Sequence, residues 1–319
     1  MATGRSLRVI LAQPRGFCAG VERAITIVER ALALYGPPVY VRHQIVHNQQ
    51  VVDALKERGA VFVEETDEIP DGSITVFSAH GVSRAVADRA ASKKLDVVDA
   101  TCPLVQRVQR EGRRYAAQGY DVVLIGHAGH AEVEGTRGQI DGRLHILSTP
   151  EAVAKIDVAD PERVAYITQT TLSLLDTRNV IAALKARFPS IVGPETRNIC
   201  YATQNRQTAV LDLADSVEML VVMGSANSSN SSRLRELGEA SGIPSYLIEA
   251  PHELDPALLQ DVDRLGVTAG ASAPEASVQA VLTWLRTFRT LHVETLDGIE
   301  ERVHFKLPQR LLREALADA

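Results

Sequence analysis

Short apolar runs and helical patterns alternate along the whole chain. The apolar run at residues 7–12 predicts a buried strand, and apolar positions three and four apart over 21–35 predict a helix. Further strands are predicted at 39–42, 60–63, 73–77, 121–125, 163–167, 219–222 and 265–268, with a last strand at 303–307 before a C-terminal helix. Alternation of this kind predicts parallel α/β sheets, whose ligands bind in the loops that follow the strands.

Three cysteines occupy equivalent places in this pattern. Cys18, Cys102 and Cys200 each open a predicted helix, and two polar clusters that end strand-like runs follow each of them at similar distances. The clusters contain His47, His130 and Ser228 in the first position, and His80, Thr170 and Ser272 in the second. This spacing predicts one α/β unit used three times, with the cysteines meeting at a pseudo-threefold axis.

The composition is that of an ordinary globular protein and excludes several functional classes. The chain has 319 residues, of which 45% are hydrophobic and 23% charged, enough for two or three domains. A net charge of −6 gives no basic surface for nucleic acid. No apolar run approaches the ~18 residues of a membrane span, and no signal-peptide region precedes the first strand. We therefore expect a cytoplasmic protein without nucleic-acid or membrane partners.

The cysteine pattern favours a metal cofactor. In a reducing compartment an odd count of three argues against disulfides, and a lone cysteine is most often a small core residue. Three cysteines at matching points of a repeat favour a shared site instead. Each also precedes a predicted helix, whose N-terminus stabilises a thiolate. The paired spacing of zinc sites is absent. An iron–sulfur cluster with three thiolates and one open iron fits the count better than a four-thiolate electron carrier.

Histidine, hydroxyl and amide side chains follow the predicted strands and could bind an anion. They are His47, His80, His130, Ser228, Asn230 and Ser272. Neither a Walker A loop nor a dinucleotide-binding fingerprint is present, so a small phosphorylated ligand held by several loops is the better candidate. Each histidine by itself is more often structural. Glu132 follows His130 by two residues and is either a catalytic carboxyl group or a solvated surface glutamate.

Nine ordered motifs closely resemble those of the 4-hydroxy-3-methylbut-2-enyl diphosphate reductase family, which acts last in the non-mevalonate isoprenoid pathway. The resemblance spans roughly residues 8–308 without a departure at a motif position. The motifs are Gly16-Phe17-Cys18-Ala19-Gly20-Val21, Ile45-Val46-His47-Asn48, Ser78-Ala79-His80-Gly81-Val82, Asp99-Ala100-Thr101-Cys102-Pro103, Gly129-His130-Ala131-Glu132-Val133-Glu134-Gly135-Thr136, Thr168-Gln169-Thr170-Thr171, Ile199-Cys200-Tyr201-Ala202-Thr203, Asn227-Ser228-Ser229-Asn230-Ser231 and Thr268-Ala269-Gly270-Ala271-Ser272-Ala273-Pro274.

The resemblance implies a fold and a cofactor. The fold is a trefoil of three pseudo-threefold-related α/β domains, each with a small, mostly parallel sheet. At its centre the resemblance implies one [4Fe–4S] cluster per chain, held by Cys18, Cys102 and Cys200. The expected domains are residues 1–101, joined by a returning segment 282–319, then 102–199 and 200–281.

The same resemblance implies an activity. The reaction is reductive dehydroxylation of (E)-4-hydroxy-3-methylbut-2-enyl diphosphate to isopentenyl and dimethylallyl diphosphates at the open iron. Glu132 is expected to deliver protons beside Thr170, and a ferredoxin or flavodoxin to supply electrons. The substrate-binding residues implied are His47, His80, His130, Thr170, Ser228, Ser229, Asn230 and Ser272. Two alternatives stay open, a diphosphate-binding protein with a structural metal and a zinc hydrolase with three cysteine ligands and Glu132 as base.

Overall fold

The computed structural model describes residues 6–312, in which helices flank three parallel β-sheets. The described chain forms two compact units. The first unit comprises residues 6–18, 47–49 and 201–303, and the second comprises 19–46, 50–200 and 304–312. One sheet belongs to the first unit and two belong to the second. The predicted α/β class with small parallel sheets is confirmed.

Strands and helices alternate along the chain as the apolar pattern predicted. The strands are β1 (Leu7–Leu11), β2 (Val39–Arg42), β3 (Ala60–Val63), β4 (Ile74–Phe77), β5 (Asp96–Asp99), β6 (Asp121–Ile125), β7 (Leu144–Leu147), β8 (Val164–Thr168), β9 (Met219–Met223), β10 (Ser245–Ile248), β11 (Arg264–Ala269) and β12 (Leu291–Thr295). The helices are α1 (Ala19–Tyr35), α2 (Gln49–Glu57), α3 (Arg84–Ser92), α4 (Pro103–Ala117), α5 (Ala131–Arg137), α6 (Pro150–Val153), α7 (Leu174–Arg187), α8 (Tyr201–Ala214), α9 (Ser229–Ala240) and α10 (Glu275–Arg286). Across residues 6–312, none of these helices combines the length and the apolar character that crossing a bilayer demands.

The three sheets share the order of three of their strands. Their orders are β3-β2-β4-β5, β7-β6-β8 and β10-β9-β11-β1-β12, and every neighbouring pair is parallel. In each sheet the first strand after a cysteine-led helix (β2, β6 or β9) lies between the next two strands of the chain. The repeat in the cysteine spacing therefore has a counterpart in the strand order.

The strand that leads to a cysteine extends two of these sheets. β5 pairs with β4 before Cys102, and β1 pairs with β11 before Cys18. Before Cys200, a single bridge between Val192 and Ala165 of β8 takes the place of that strand. β1 pairs with both β11 and β12. The three-domain boundaries themselves stay a prediction.

The buried strands are continuous apolar runs because both faces of each sheet are covered. In β9, Val221 belongs to the core cluster that contains Val278 of α10, and Val222 belongs to the cluster that contains Val210 of α8. Full burial of such a side chain contributes about 1.5–3 kcal/mol. The cores thus fix where each strand ends, and the polar loops begin at those points.

The structure corrects the prediction where elements are exposed. Residues 303–307 contain no strand, and the strand near that end of the chain is β12, whose side chains are mostly exposed. An exposed edge strand lacks the buried apolar run on which the prediction relied. The short strands β7 and β10 lie at sheet edges and were missed too. The predicted C-terminal helix falls largely on residues 313–319, outside the described residues.

Candidate functional site

Each cysteine directly precedes a helix, as predicted, and its backbone amide is bound by an equivalent loop. The amides donate from Cys18 to the carbonyl of Ala271 at 3.2 Å, from Cys102 to that of Ala79 at 3.0 Å, and from Cys200 to that of Thr170 at 3.0 Å. These carbonyls belong to the loops after β11, β4 and β8. The same local arrangement thus recurs three times, each time at a helix start that favours a thiolate.

The donor chemistry of the cysteines fits an iron–sulfur cluster. All three side chains are partly buried, and thiolates at helix N-termini are the ligands that such clusters use. Among residues 6–312, no group of three or more His, Cys, Asp or Glu side chains lies together as a single metal ion requires.

Glu132 is a buried carboxyl group, with 3% of its surface exposed. Its two oxygens accept hydrogen bonds from Thr170, one from the backbone N–H and one from the hydroxyl, both at 2.7 Å. Burial raises the pKa of Glu132 from 4.5 to about 7, although the two hydrogen bonds act in the opposite direction. At neutral pH the protonated and ionised forms coexist, which suits a group that transfers protons.

Glu132 lies in the first turn of α5. His130 is the N-cap residue of this helix, and its Nδ1 accepts the N–H of Glu132 at 3.1 Å. With Nδ1 as acceptor, the proton of a neutral imidazole is on Nε2, which becomes a donor for an anion. Glu134, two residues further on, is exposed and accepts the N–H of Gly129 at 3.2 Å.

His80 and His130 lie side by side in the second unit. Their ring centroids are 6.0 Å apart, with the planes at 86°. Gly135 allows α5 to approach the loop of His80, because a Cβ at Gly135 would lie 2.9 Å from the carbonyl oxygen of Gly81. The hydroxyl of Ser78 is 3.3 Å from Nδ1 of His80 and limits rotation of that ring.

Ser272, Ser228 and His47 lie together in the first unit. The Ser272 hydroxyl donates to the backbone carbonyl of His47 at 3.0 Å. It lies 3.3 Å from the hydroxyl of Ser228. Ser228 caps α9 by accepting the N–H of Ser231 at 3.3 Å. This cap starts the helix at Ser229, so Ser229 and Asn230 belong to its first turn.

Asn230 is buried, with 4% of its surface exposed, yet its side-chain Nδ2 and Oδ1 make no hydrogen bond within the described residues. A buried polar group without a partner costs about 1–3 kcal/mol. Gly270 leaves room beside it, since a Cβ there would lie 3.4 Å from Asn230 Nδ2 and 2.0 Å from the Ser231 hydroxyl. The amide is therefore suited to a polar ligand.

The predicted site residues are divided between the two units. The second unit holds Cys102, Cys200, His80, His130, Glu132 and Thr170, and the first holds Cys18, His47, Ser228, Ser229, Asn230 and Ser272. Sequence reasoning gave no role to Gln169, which is buried, accepts the N–H of His127 at 3.1 Å and donates to the Thr171 hydroxyl at 3.0 Å. An amide directly after the apolar run of β8 was the available signal.

Known proteins are similar to this chain in sequence. The sequence model of the LytB protein family matches residues 9–286. The chain belongs to the LytB family. It is 57% identical over 305 residues to the 4-hydroxy-3-methylbut-2-enyl diphosphate reductase of Zymomonas mobilis, covering 96% of this chain and 90% of that protein. Identity to the reductase of the same name from Aromatoleum aromaticum is 55% over 303 residues, with 95% and 97% covered.

Solved structures agree with this family. The E-1-hydroxy-2-methyl-but-2-enyl-4-diphosphate reductase of Plasmodium falciparum superposes with a TM-score of 0.94 at 37% identity, covering 98% of this chain and 99% of that one. A second structure, an (E)-4-hydroxy-3-methyl-but-2-enyl diphosphate reductase, gives a TM-score of 0.62 at 32% identity, with 88% and 100% covered. The resemblance inferred from the motifs is confirmed, and so is the enzyme class, an oxidoreductase of the LytB family.

Proposed function

We propose that the chain reductively removes the hydroxyl group of (E)-4-hydroxy-3-methylbut-2-enyl diphosphate, giving isopentenyl and dimethylallyl diphosphates. The reaction breaks the allylic C–O bond and consumes two electrons and two protons. One proton leaves with the departing hydroxide as water, and the other goes to carbon. Support comes from relatives that carry this substrate in their names at 54–57% identity.

The observation that carries the proposal is the buried pair of Glu132 and Thr170. A carboxyl group with a pKa of about 7 holds a proton at neutral pH and gives it up readily to a stronger base such as a departing hydroxide. The two hydrogen bonds from Thr170 fix the carboxyl plane, so the proton is offered from a defined position. General acid catalysis of this kind typically contributes ~10²–10⁴ in rate.

We assign the diphosphate to the polar side chains and the helix start described above. The first turn of α9 presents backbone N–H groups that suit phosphate oxygens, and Asn230 adds an amide that makes no hydrogen bond within residues 6–312. His130 adds a donor at Nε2. The full set is His47, His80, His130, Thr170, Ser228, Ser229, Asn230 and Ser272. Binding of the remote diphosphate positions the reacting end of the substrate.

The cofactor in this proposal is one [4Fe–4S] cluster per chain, held by Cys18, Cys102 and Cys200. When bound, it supplies electrons and a Lewis-acidic iron. The trefoil of domains with boundaries 1–101 plus 282–319, 102–199 and 200–281 belongs to the same proposal. So do an electron donor such as ferredoxin or flavodoxin and a cytoplasmic location.

Anaerobic purification tests the proposal against both alternatives. We expect a brown protein whose colour is bleached by dithionite and which converts the substrate to the two products with reduced methyl viologen as electron source. A colourless protein that contains zinc and hydrolyses the diphosphate would contradict the proposal in favour of a zinc hydrolase. A brown protein that binds the diphosphate tightly without turnover would indicate a binding protein.

A further inference from the structure

Arg206 of α8 is a fully buried charged residue, with 0% of its surface exposed. Its guanidinium donates to the carbonyl of Gly16, from Nη2 at 2.7 Å and from Nε at 3.1 Å, and to that of Phe17 from Nη2 at 3.2 Å. These two carbonyls immediately precede Cys18. Arg206 therefore holds the backbone that leads into this cysteine.

Glu301 balances the charge of Arg206. Its carboxylate accepts from Nη1 at 3.0 and 3.2 Å and from Nη2 at 3.3 Å, and Asn205 donates to the same carboxylate at 3.0 Å. A buried guanidinium without a carboxylate is strongly unfavourable, so Glu301 keeps Arg206 in place. Because the pair is neutral as a whole, it acts on Cys18 through geometry more than through charge.

The second unit repeats this arrangement before Cys102. Arg23 of α1 donates from Nη1 to the carbonyls of Ala100 and Thr101, both at 3.2 Å, and from Nε to the carbonyl of Lys306 at 2.9 Å. α1 begins directly after Cys18, and α8 directly after Cys200. In both units, an arginine in the second turn of a cysteine-led helix holds the two carbonyls before another cysteine.

We infer that Arg206 and Arg23 are positioning residues for Cys18 and Cys102, and that residues 301–306, here called the C-terminal strap, keep both arginines in place. A planar guanidinium that bonds two successive carbonyls restricts the orientation of the peptide before the cysteine. Residues that orient metal ligands determine how firmly the metal is held. The identity of the bound group rests on the proposed function, whereas the restraint on the loops does not.

The strap is tested with Glu301→Gln and with Glu300→Gln as matched control. Glu300 is the neighbouring residue, but it pairs with Arg302 where both side chains are exposed, at 72% and 82%. The anaerobically purified enzyme is mixed with an iron chelator, and hydrogen exchange is followed at the backbone amides of residues 15–18. We expect Glu301→Gln to release iron about 10–100-fold faster and to exchange faster at these amides, with the control at wild-type rates.

Wild-type iron release and exchange in Glu301→Gln would overturn the inference. If that variant does not fold, Arg206→Lys replaces it, since lysine keeps the charge but cannot reach both carbonyls and the carboxylate together. A folded Arg206→Lys variant that releases iron and exchanges as slowly as the wild type would overturn the inference equally. A wild-type enzyme without a cluster would refute the proposed function, and the exchange rates would still decide whether the strap holds the loop.

Discussion

Thr170 donates two hydrogen bonds to Glu132, from its backbone N–H and from its hydroxyl, each at 2.7 Å. The carbonyl of the same threonine accepts the amide of Cys200 at 3.0 Å. Thr170, in the loop that follows β8, therefore links the buried carboxyl group to a cysteine within the second unit.

Glu132→Gln is expected to lower kcat by ~10²–10⁴, because glutamine has nearly the same size but no acidic proton. Folding, iron content and substrate binding should survive. Steady-state kinetics and the spectrum of the substrate-bound enzyme measure these quantities. Glu134→Gln is the matched control on the same helix, since Glu134 is exposed, and should leave kcat nearly unchanged. Near wild-type turnover in Glu132→Gln would show that the proton comes from another group.

The stability of the protein should depend on the ionisation of Glu132. Folding raises the pKa of this carboxyl group from 4.5 to about 7, so protonation of Glu132 stabilises the folded state. This contribution to the free energy of unfolding is complete below pH 4.5. That contribution is lost as the pH rises through 7, whereas glutamine does not titrate. The free energy of unfolding of Glu132→Gln relative to the wild type should therefore increase by up to about 3 kcal/mol between pH 4.5 and 8. Anaerobic urea unfolding at both pH values measures it, and a constant difference would contradict the burial argument.

Each of the three cysteines is expected to be required for the cluster. Cys18→Ser, Cys102→Ser and Cys200→Ser should each lose iron and turnover, because two thiolates do not retain a functional site. Iron and sulfide content after anaerobic purification measures this, with circular dichroism as the check on folding. Full iron content and activity in any one variant would contradict the assignment of that cysteine.

His47→Ala and His80→Ala are expected to weaken substrate binding while sparing the cluster. A charge-assisted hydrogen bond contributes about 1.5–3 kcal/mol, which corresponds to a roughly ten- to hundredfold loss of affinity. Titration with substrate and iron analysis separate the two effects. His252→Ala, at an exposed position of the first unit, is the control. Loss of iron with unchanged affinity would move either histidine to a structural role.

The elements around the site could be predicted wherever burial leaves a mark on the sequence. β6 and β9 are covered on both faces and contain almost only apolar residues, so their bounds were evident within one residue. β12 and the start of α9 could not be placed in this way. The first is an exposed edge strand, and the second depends on a cap by Ser228 that resembles any other serine in a polar loop.

The sequence by itself determined the residue types, their threefold spacing and the position of each cysteine at a helix start, because strand ends and helix starts follow from neighbouring residues. Only the tertiary structure decided the environment of these residues. The pKa of Glu132 depends on burial and on Thr170, 38 residues away, and the Cys18 loop depends on Arg206, 190 residues from Gly16. Such partners meet only when the sheets pack, so no local pattern announces that Arg206 is buried or that Glu132 titrates near neutral pH.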